Sequence, residues 1–245
     1  MSENPKRMGV PGATSCFNCQ WRERSEWCVL DHEDVRILDD SKSSSQFKPG
    51  QVLFHQGDRC DGIYTVVSGT VAIRKSDIHG NTVLVRLRHE GETIGYRDFF
   101  TGSEYSTSAE ALSPVTMCFV HRDAVQELLT HNPALGLGFL NQLGGDLKEA
   151  EEALLRTSRL SVRTRMAHLL LTLKDRYAEA NDDGSLALRL PLSRQDIADI
   201  LGTRAETVAR TIHALEVDNV ATFSGRNVII PDLDSLLDEI ELMDE

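Results

Sequence analysis

The stretch Leu192–Glu216, LSRQDIADILGTRAETVARTIHALE, leaves this chain little freedom. It reads as two short helices joined by a tight turn. Ser193 caps the first helix, with Asp196 three residues on, and Ile197, Ala198, Ile200 and Leu201 give it an apolar face. Gly202 ends it, because the residue just past a helix often turns left-handed, a conformation glycine reaches most cheaply. Thr203 followed by Glu206 has capping-box spacing for the second helix. Val208, Ile212 and Leu215 recur at i, i+4, i+7 and face the first helix, leaving Glu206, Ala209, Arg210 and His213 on the other side. Two helices around a short glycine turn form the helix-turn-helix unit, whose second helix enters the DNA major groove.

The exposed face has suitable chemistry. Arginine donates two bonds to the O6/N7 edge of guanine, and glutamate accepts from the cytosine amine. Glu206 and Arg210 are one turn apart and reach neighbouring base pairs. The competing reading makes Glu206 a capping carboxylate and Arg210 its i,i+4 ion-pair partner. The flanks favour DNA. Val220–Phe223 and Val228–Ile230 look like two strands around Ser224-Gly225-Arg226-Asn227, a hairpin that makes the unit a winged helix. Arg226 at the wing tip suits a phosphate. The candidate DNA contacts are Thr203, Arg204, Glu206, Ala209, Arg210, His213 and Arg226.

A net charge of −12 argues against indiscriminate nucleic-acid binding. Specific binding needs only a local basic surface. Arg156, Arg159, Arg163, Arg165, Lys174 and Arg176 precede the motif, Arg189, Arg194, Arg204 and Arg210 surround it, and much negative charge lies in the tail Asp232–Glu245. No run approaches the roughly 18 apolar residues of a membrane helix. The N-terminal stretch MSENPKRMGVPG lacks the apolar core of a signal peptide and looks disordered, so a cytoplasmic protein is expected.

Three of the five cysteines, Cys16, Cys19 and Cys28, form a Cys-x2-Cys-x8-Cys cluster. In a reducing compartment that spacing suits a metal or iron–sulfur site better than disulfides. Three thiolates complete neither tetrahedral zinc nor a four-iron cluster, so a fourth ligand comes from afar: Cys60, Cys118 or a histidine. Spacing alone does not separate zinc from iron–sulfur.

From residue 46 to about 120 the pattern changes to short segments rich in Val, Ile, Thr and aromatics: 51–54, 62–67, 70–74, 82–87 and 115–120. Turn signals separate them, and the pattern indicates an antiparallel sandwich or roll, an architecture that often encloses a ligand pocket. A short helix over 122–131 closes it. Pro133 starts a long helix whose Leu140, Leu143, Leu147, Ala150 and Leu154 follow a coiled-coil seam, with Gly144-Gly145 as a weak point. An exposed seam of this length calls for a partner, and a second copy in a parallel dimer would set two recognition helices about one DNA turn apart on a palindromic site. A further helix over 161–180 packs Met166, Leu169, Leu170 and Leu173 into the DNA-binding part, followed by a strand at 186–190. The fold class is α+β: an N-terminal antiparallel β-roll, a long dimerisation helix and a C-terminal winged helix-turn-helix. The expected divisions are a cysteine-rich arm (1–31), the sensory roll (32–132), the dimer helix (133–160) and the DNA-binding domain (161–245).

In this order, and in its motifs, the chain resembles the CRP/FNR family of bacterial transcription regulators over roughly residues 46–230. The motifs are the glycine-punctuated roll (Gly50, Gly57, Gly69, Gly91, Gly95), Val67-Ser68-Gly69-Thr70-Val71, and above all Ile197-Ala198-Asp199-Ile200-Leu201-Gly202 followed by Glu206-Thr207-Val208-Ala209-Arg210. The resemblance implies a roll like that of cyclic-nucleotide-binding domains. In the cyclic-AMP branch an Arg-Ser pair grips the cyclic phosphate; here Glu104-Tyr105-Ser106 puts tyrosine in place of that arginine, which disfavours a cyclic nucleotide. In the FNR branch three N-terminal cysteines and one in the roll hold an oxygen-labile [4Fe–4S] cluster. Ala109-Glu110-Ala111-Leu112 and Met117-Cys118 match the segment carrying the fourth ligand. The resemblance therefore implies Cys16, Cys19, Cys28 and Cys118 as ligands, with Cys60 as the alternative fourth.

Two features depart from the FNR pattern. Eight residues separate Cys19 from Cys28, a longer gap than usual, and Ala209 stands where serine is typical. Glu206 and Arg210 match and imply a TGA-like core in each half-site. The implied mechanism links cluster binding, through the roll, to the dimer helix, with oxygen or nitric oxide lowering DNA affinity and no catalysis required. Because Ala150 brings no carboxylate into the seam, the cluster-free protein is expected to remain dimeric. The resemblance also implies contact with RNA polymerase. The competing readings are a thiol- or zinc-dependent regulator using the same cysteines and a haem or nitric-oxide sensor using His55 or His89. No nucleophile–base constellation suggests an enzyme.

Overall fold

The computed structural model describes residues 15–241; the N-terminal tail expected to be disordered lies outside them. The chain divides into two compact units between Leu147 and Lys148. That division falls inside the long helix, not at either of its ends.

In the first unit, three short 3-10 turns (Cys16–Asn18, Arg22–Arg24, Glu26–Val29) form a cysteine-bearing arm that leads into α1 (His32–Ser41). Asp31 caps α1 by accepting from the backbone N–H groups of Glu33 and Asp34. The roll consists of β1 (Lys42–Phe47), β2 (Val52–Phe54), β3 (Gly62–Ser68), β4 (Val71–Ser76), β5 (Thr82–Arg88), β6 (Thr93–Ile94), β7 (Ser108–Ala111) and β8 (Val115–His121), with the short helix α2 (Tyr96–Thr101) between β6 and β7. They make two four-stranded antiparallel sheets, ordered β1-β8-β3-β6 and β2-β7-β4-β5. Ile63, Val66, Val115 and Met117 of the first sheet and Val71, Ile73, Ala109 and Ala111 of the second share one buried core.

Strand alternation decides where Cys118 points. Val115, Met117 and Phe119 of β8 are buried inward, so Thr116 and Cys118 take the opposite face. In register, Ser44 of β1 stands opposite Cys118, Cys118 opposite Thr65 of β3, and Thr65 opposite Thr93 of β6. One row of small polar residues and a thiol thus crosses all four strands.

The helix α3 (Arg122–His131) follows β8, and α4 (Pro133–Arg159) runs 27 residues without a break. Gly144 and Gly145, expected as a weak point, stay helical, and a side chain at either would meet nothing within 4 Å. Leu135 and Phe139 pack on the roll, while Leu137, Leu140, Leu147, Leu154 and Leu155 are more than half exposed. Leu143 is partly buried against the roll's core, so it serves the fold of its own unit as well as the seam.

The second unit contains α5 (Val162–Tyr177), β9 (Ala178–Ala180), β10 (Leu186–Arg189), α6 (Arg194–Ile200), α7 (Ala205–Val217), β11 (Thr222–Ser224), β12 (Asn227–Ile230) and α8 (Leu233–Glu241), with its strands in the order β11-β12-β10-β9. Met166, Leu170 and Leu173 are buried as expected, and Leu169 is only partly so. The expected helix over 161–180 gives way after Tyr177 to an edge strand paired with β10. The acidic tail forms α8, held down by Leu236 and by an ion pair between Arg163 and Glu239.

Candidate cysteine site and DNA-binding surface

The arm lies over the polar row on the first sheet. Trp27 donates its indole N–H to Thr65 Oγ1 at 3.1 Å, and Thr93 donates its hydroxyl to Glu26 Oε2 at 2.8 Å. Cys118 sits between these anchors and Ser44, whose Oγ is 3.6 Å from its sulfur. Cys16 is near enough to feel the charge of Cys118, and Cys118 that of Cys19. Burial pushes the Cys16 thiol up to about 12 against the pull of Lys42, and burial likewise raises Cys118 against a hydrogen bond from Ser44. Cys28 is exposed on the last 3-10 turn of the arm.

Cys60, the alternative fourth ligand, has different surroundings. It is buried with its sulfur 3.6 Å from the Gly62 carbonyl and 3.7 Å from that of Gly95, beside Tyr105. Burial raises its pKa too.

Among the described residues, no three His, Cys, Asp or Glu side chains converge as a single metal ion requires. A four-iron cluster asks for less convergence, because each thiolate binds a different iron. Two features make the donor set fit such a cluster. Cys118 lies within electrostatic reach of Cys16 and of Cys19, and Cys28 is exposed on the same arm. A buried cation, Lys42, lies beside Cys16 and would offset the charge of bound thiolates.

The arm also touches α4. The Trp27 ring packs edge-on against Phe139 at 5.6 Å, and a Cβ on Gly138 would stand 3.4–3.6 Å from Glu26. Further along α4, Asp146 accepts from Arg86, Arg88 and Tyr96. Burial opposes the Arg88 charge, but Asp146 and Glu92 hold its pKa above the usual arginine value.

Inside the roll, Tyr105 stacks on Phe54 with ring centroids 3.8 Å apart and donates to the Gly62 carbonyl at 3.0 Å. Gly95, at φ +87°, lets it approach; a Cβ there would lie 2.9 Å from the ring. An aromatic stack therefore stands where the resemblance places a phosphate-gripping arginine. One cation does reach the neighbouring serine: Arg97 of α2 hydrogen-bonds Ser106 Oγ, with Asp98 3.7 Å from its Nε. The sequence pattern did not single out Arg97, which is nine residues away on a different element.

In the second unit, Ser193 and Asp196 form the expected capping box. The second expected cap is absent. α7 starts at Ala205, and the N-cap is Arg204, whose side chain makes no capping bond. The reason lies in the turn. Gly202 (φ +59°) and Thr203 donate their backbone N–H groups to Asp199 and Ala198, so Thr203 finishes α6. Val208, Ile212 and Leu215 are buried, while Arg204, Glu206, Ala209, Arg210 and His213 are exposed and Thr203 is half-buried. Arg210 donates to Thr207 Oγ1 at 3.3 Å and forms no i,i+4 pair with Glu206. Arg226 is exposed at the wing turn.

The other basic residues divide. Arg163 is held by Glu239 and Asp218, each within 2.6 Å, and is unavailable to a phosphate. Arg194 stacks over Phe223 at 5.1 Å. Thr157 of α4 meets the turn at Gly202, where an added Cβ would be 3.0 Å from its methyl group.

Comparison with known proteins agrees with both units. The family model of the cyclic nucleotide-binding domain matches residues 44–132, and that of the Crp-like helix-turn-helix domain matches residues 164–239. The chain is 28% identical over 228 residues to the transcriptional activator FnrL of Cereibacter sphaeroides, covering 91% of each. It is 26% identical to the transcriptional activator Anr of Pseudomonas protegens, covering 95% of this chain and 94% of Anr. In fold it resembles FixK2 of Bradyrhizobium japonicum, with a TM-score of 0.70, 24% identity, and 80% of this chain and 96% of FixK2 covered.

Proposed function

The chain belongs to the CRP/FNR family of DNA-binding transcription regulators, and from that premise we propose that it is a homodimeric oxygen or nitric-oxide sensor that binds a [4Fe–4S] cluster through Cys16, Cys19, Cys28 and Cys118. The observation that carries this reading is the docking of the cysteine arm over Cys118, with Trp27 and Glu26 tied to the same row of the sheet. The names of the relatives FnrL and Anr, and of an anaerobic regulatory protein of Haemophilus influenzae, support the same direction.

When bound, the cluster supplies a tie between arm and roll that oxygen or nitric oxide destroys. The protein's own residues convert the state of that tie into helix position. Cys28 is one residue from Trp27, and Trp27 contacts Phe139 of α4 while Glu26 contacts Gly138. A shift of this last arm turn is felt at the start of the proposed dimer helix. Leu140, Leu147, Ala150 and Leu154, exposed in the protomer, pair with the same residues of a second copy, and Leu143 adds its free edge. At the other end of α4, Thr157 abuts the Gly202 turn that sets the entry of α7. Each α7 then presents Glu206 and Arg210 to a TGA-like half-site of a palindrome, with Thr203, Arg204, Ala209, His213 and Arg226 at its margins. A cytoplasmic location and contact with RNA polymerase complete the proposal.

Thiol-redox sensing has less support. It needs accessible thiolates, whereas burial raises Cys16, Cys60 and Cys118. Anaerobic reconstitution with iron and sulfide tests the proposal. About four irons and four sulfides per chain, with a brown colour that bleaches in air, are expected. A colourless protein carrying one zinc would overturn it.

A further inference from the structure

Asp39, in the last turn of α1, and Lys42, which opens β1, are set against the start of the cysteine arm. Asp39 Oδ1 accepts the backbone N–H of Cys16 at 2.8 Å, and its Oδ2 accepts the Ser15 hydroxyl at 2.8 Å. Lys42 Nζ is ion-paired with the same carboxylate, and its side chain is only 8% exposed. The ammonium also lies near enough to the Cys16 and Cys118 thiols to favour the thiolate form of both. A lysine this buried needs more than one acceptor, since three N–H donors leave water together. Here one is the Asp39 carboxylate, with the Cys16 thiol beside it.

We propose that Asp39 and Lys42 form a two-part positioning device for Cys16: Asp39 clamps the ligand's backbone, and Lys42 sets a buried positive charge against its sulfur. This assignment rests on the cluster proposed above. A cluster held by four thiolates is an anion, and its charge is poorly screened where water is excluded. Two cations stand at Cys16: Lys42 on the side of its thiol, and Arg22, which donates its Nε–H to the Cys16 carbonyl at 3.0 Å. Groups that touch metal ligands commonly change affinity by about 10–100-fold when removed. An ordinary i,i+3 surface ion pair would have no such effect.

Two consequences follow for the full-length chain. Removing the charge loosens the ligand–metal bond and lowers the reduction potential, because the more negative reduced state loses its counter-ion. Removing the clamp frees the arm even without metal.

The test compares wild type, Lys42→Met, Lys42→Arg and Asp39→Asn after anaerobic reconstitution with iron and sulfide. Iron release to a chelator and the reduction potential are followed for each. Lys42→Met is expected to release iron about tenfold faster at a lower potential, with Lys42→Arg close to wild type. The same release rate and potential in Lys42→Met and wild type would overturn the charge role. Trypsin cleavage after Arg22 and Arg24 in metal-free protein tests the clamp: Asp39→Asn is expected to be cut faster, and equal rates would overturn it. A wild-type chain that takes up no iron would instead overturn the cluster itself, while the trypsin result still decides the clamp.

Discussion

Trp27 donates its indole N–H to the hydroxyl of Thr65 at 3.1 Å, and Thr65 stands directly opposite Cys118 in the neighbouring strand. The arm is therefore fixed to the sheet one strand away from the cysteine it is proposed to join. Trp27 is buried and touches Phe139 as well. Trp27→Phe keeps most of the ring packing and loses the hydrogen bond, at about 1 kcal/mol. Trp27→Ala removes both, at about 3–5 kcal/mol. Chemical denaturation of the metal-free protein measures each cost. We expect Trp27→Phe to retain the cluster but respond more weakly to oxygen in DNA binding.

Cys118 and Cys60 are separated by environment. Cys118→Ser is expected to abolish cluster assembly, measured as iron and sulfide per chain. Cys60→Ala is expected to leave iron content unchanged and to cost only about 1 kcal/mol of stability, as one small buried group is lost. Loss of iron in Cys60→Ala with normal iron in Cys118→Ser would reverse the assignment.

Glu206 is exposed in the first turn of α7, and no capping bond involves Thr203. Glu206→Ala should therefore change the melting free energy by less than about 0.5 kcal/mol. Specific DNA affinity should fall by about 1–3 kcal/mol, and Arg210→Ala should behave likewise. A large drop in melting temperature on Glu206→Ala would mean that the carboxylate serves the helix.

Leu147 and Leu154 are 61% and 71% exposed on α4. Leu147→Glu is expected to leave the protomer folded and shift sedimentation from dimer to monomer. With no carboxylate at position 150, the metal-free wild type is expected to sediment as a dimer. A monomeric wild type would contradict that role for Ala150.

Local signals made part of this molecule legible. Gly202, the capping pair Ser193 and Asp196, and the spacing of Val208, Ile212 and Leu215 each act within one turn of chain, and each appears in place. Strand positions rich in Val and Ile were legible for the same reason. β1 was not, because Lys42-Ser43-Ser44-Ser45-Gln46 has no apolar alternation; its Ser44 instead sets a hydroxyl beside Cys118. α8 was hidden in acidic composition, since Leu236 and the Arg163–Glu239 pair dock it. Thr203 misled because the end of one helix and the start of the next compete for the same residue.

The cysteine spacing revealed the donors but not what holds them. Ser44, Thr65, Thr93 and Cys118 become one row only through cross-strand register, which local pattern does not encode. Asp39 and Lys42 look like an ordinary helix-end pair until the arm folds back over them.

Cluster and DNA affinity can be followed together in one sample. Anaerobically reconstituted protein is titrated into a fluorescent palindrome of TGA-like half-sites, and anisotropy and visible absorbance are recorded before and after a pulse of air. Tight binding is expected at first, then loss of anisotropy at the rate at which the cluster absorbance bleaches. Affinity that stays constant while the absorbance disappears would contradict cluster control of DNA binding.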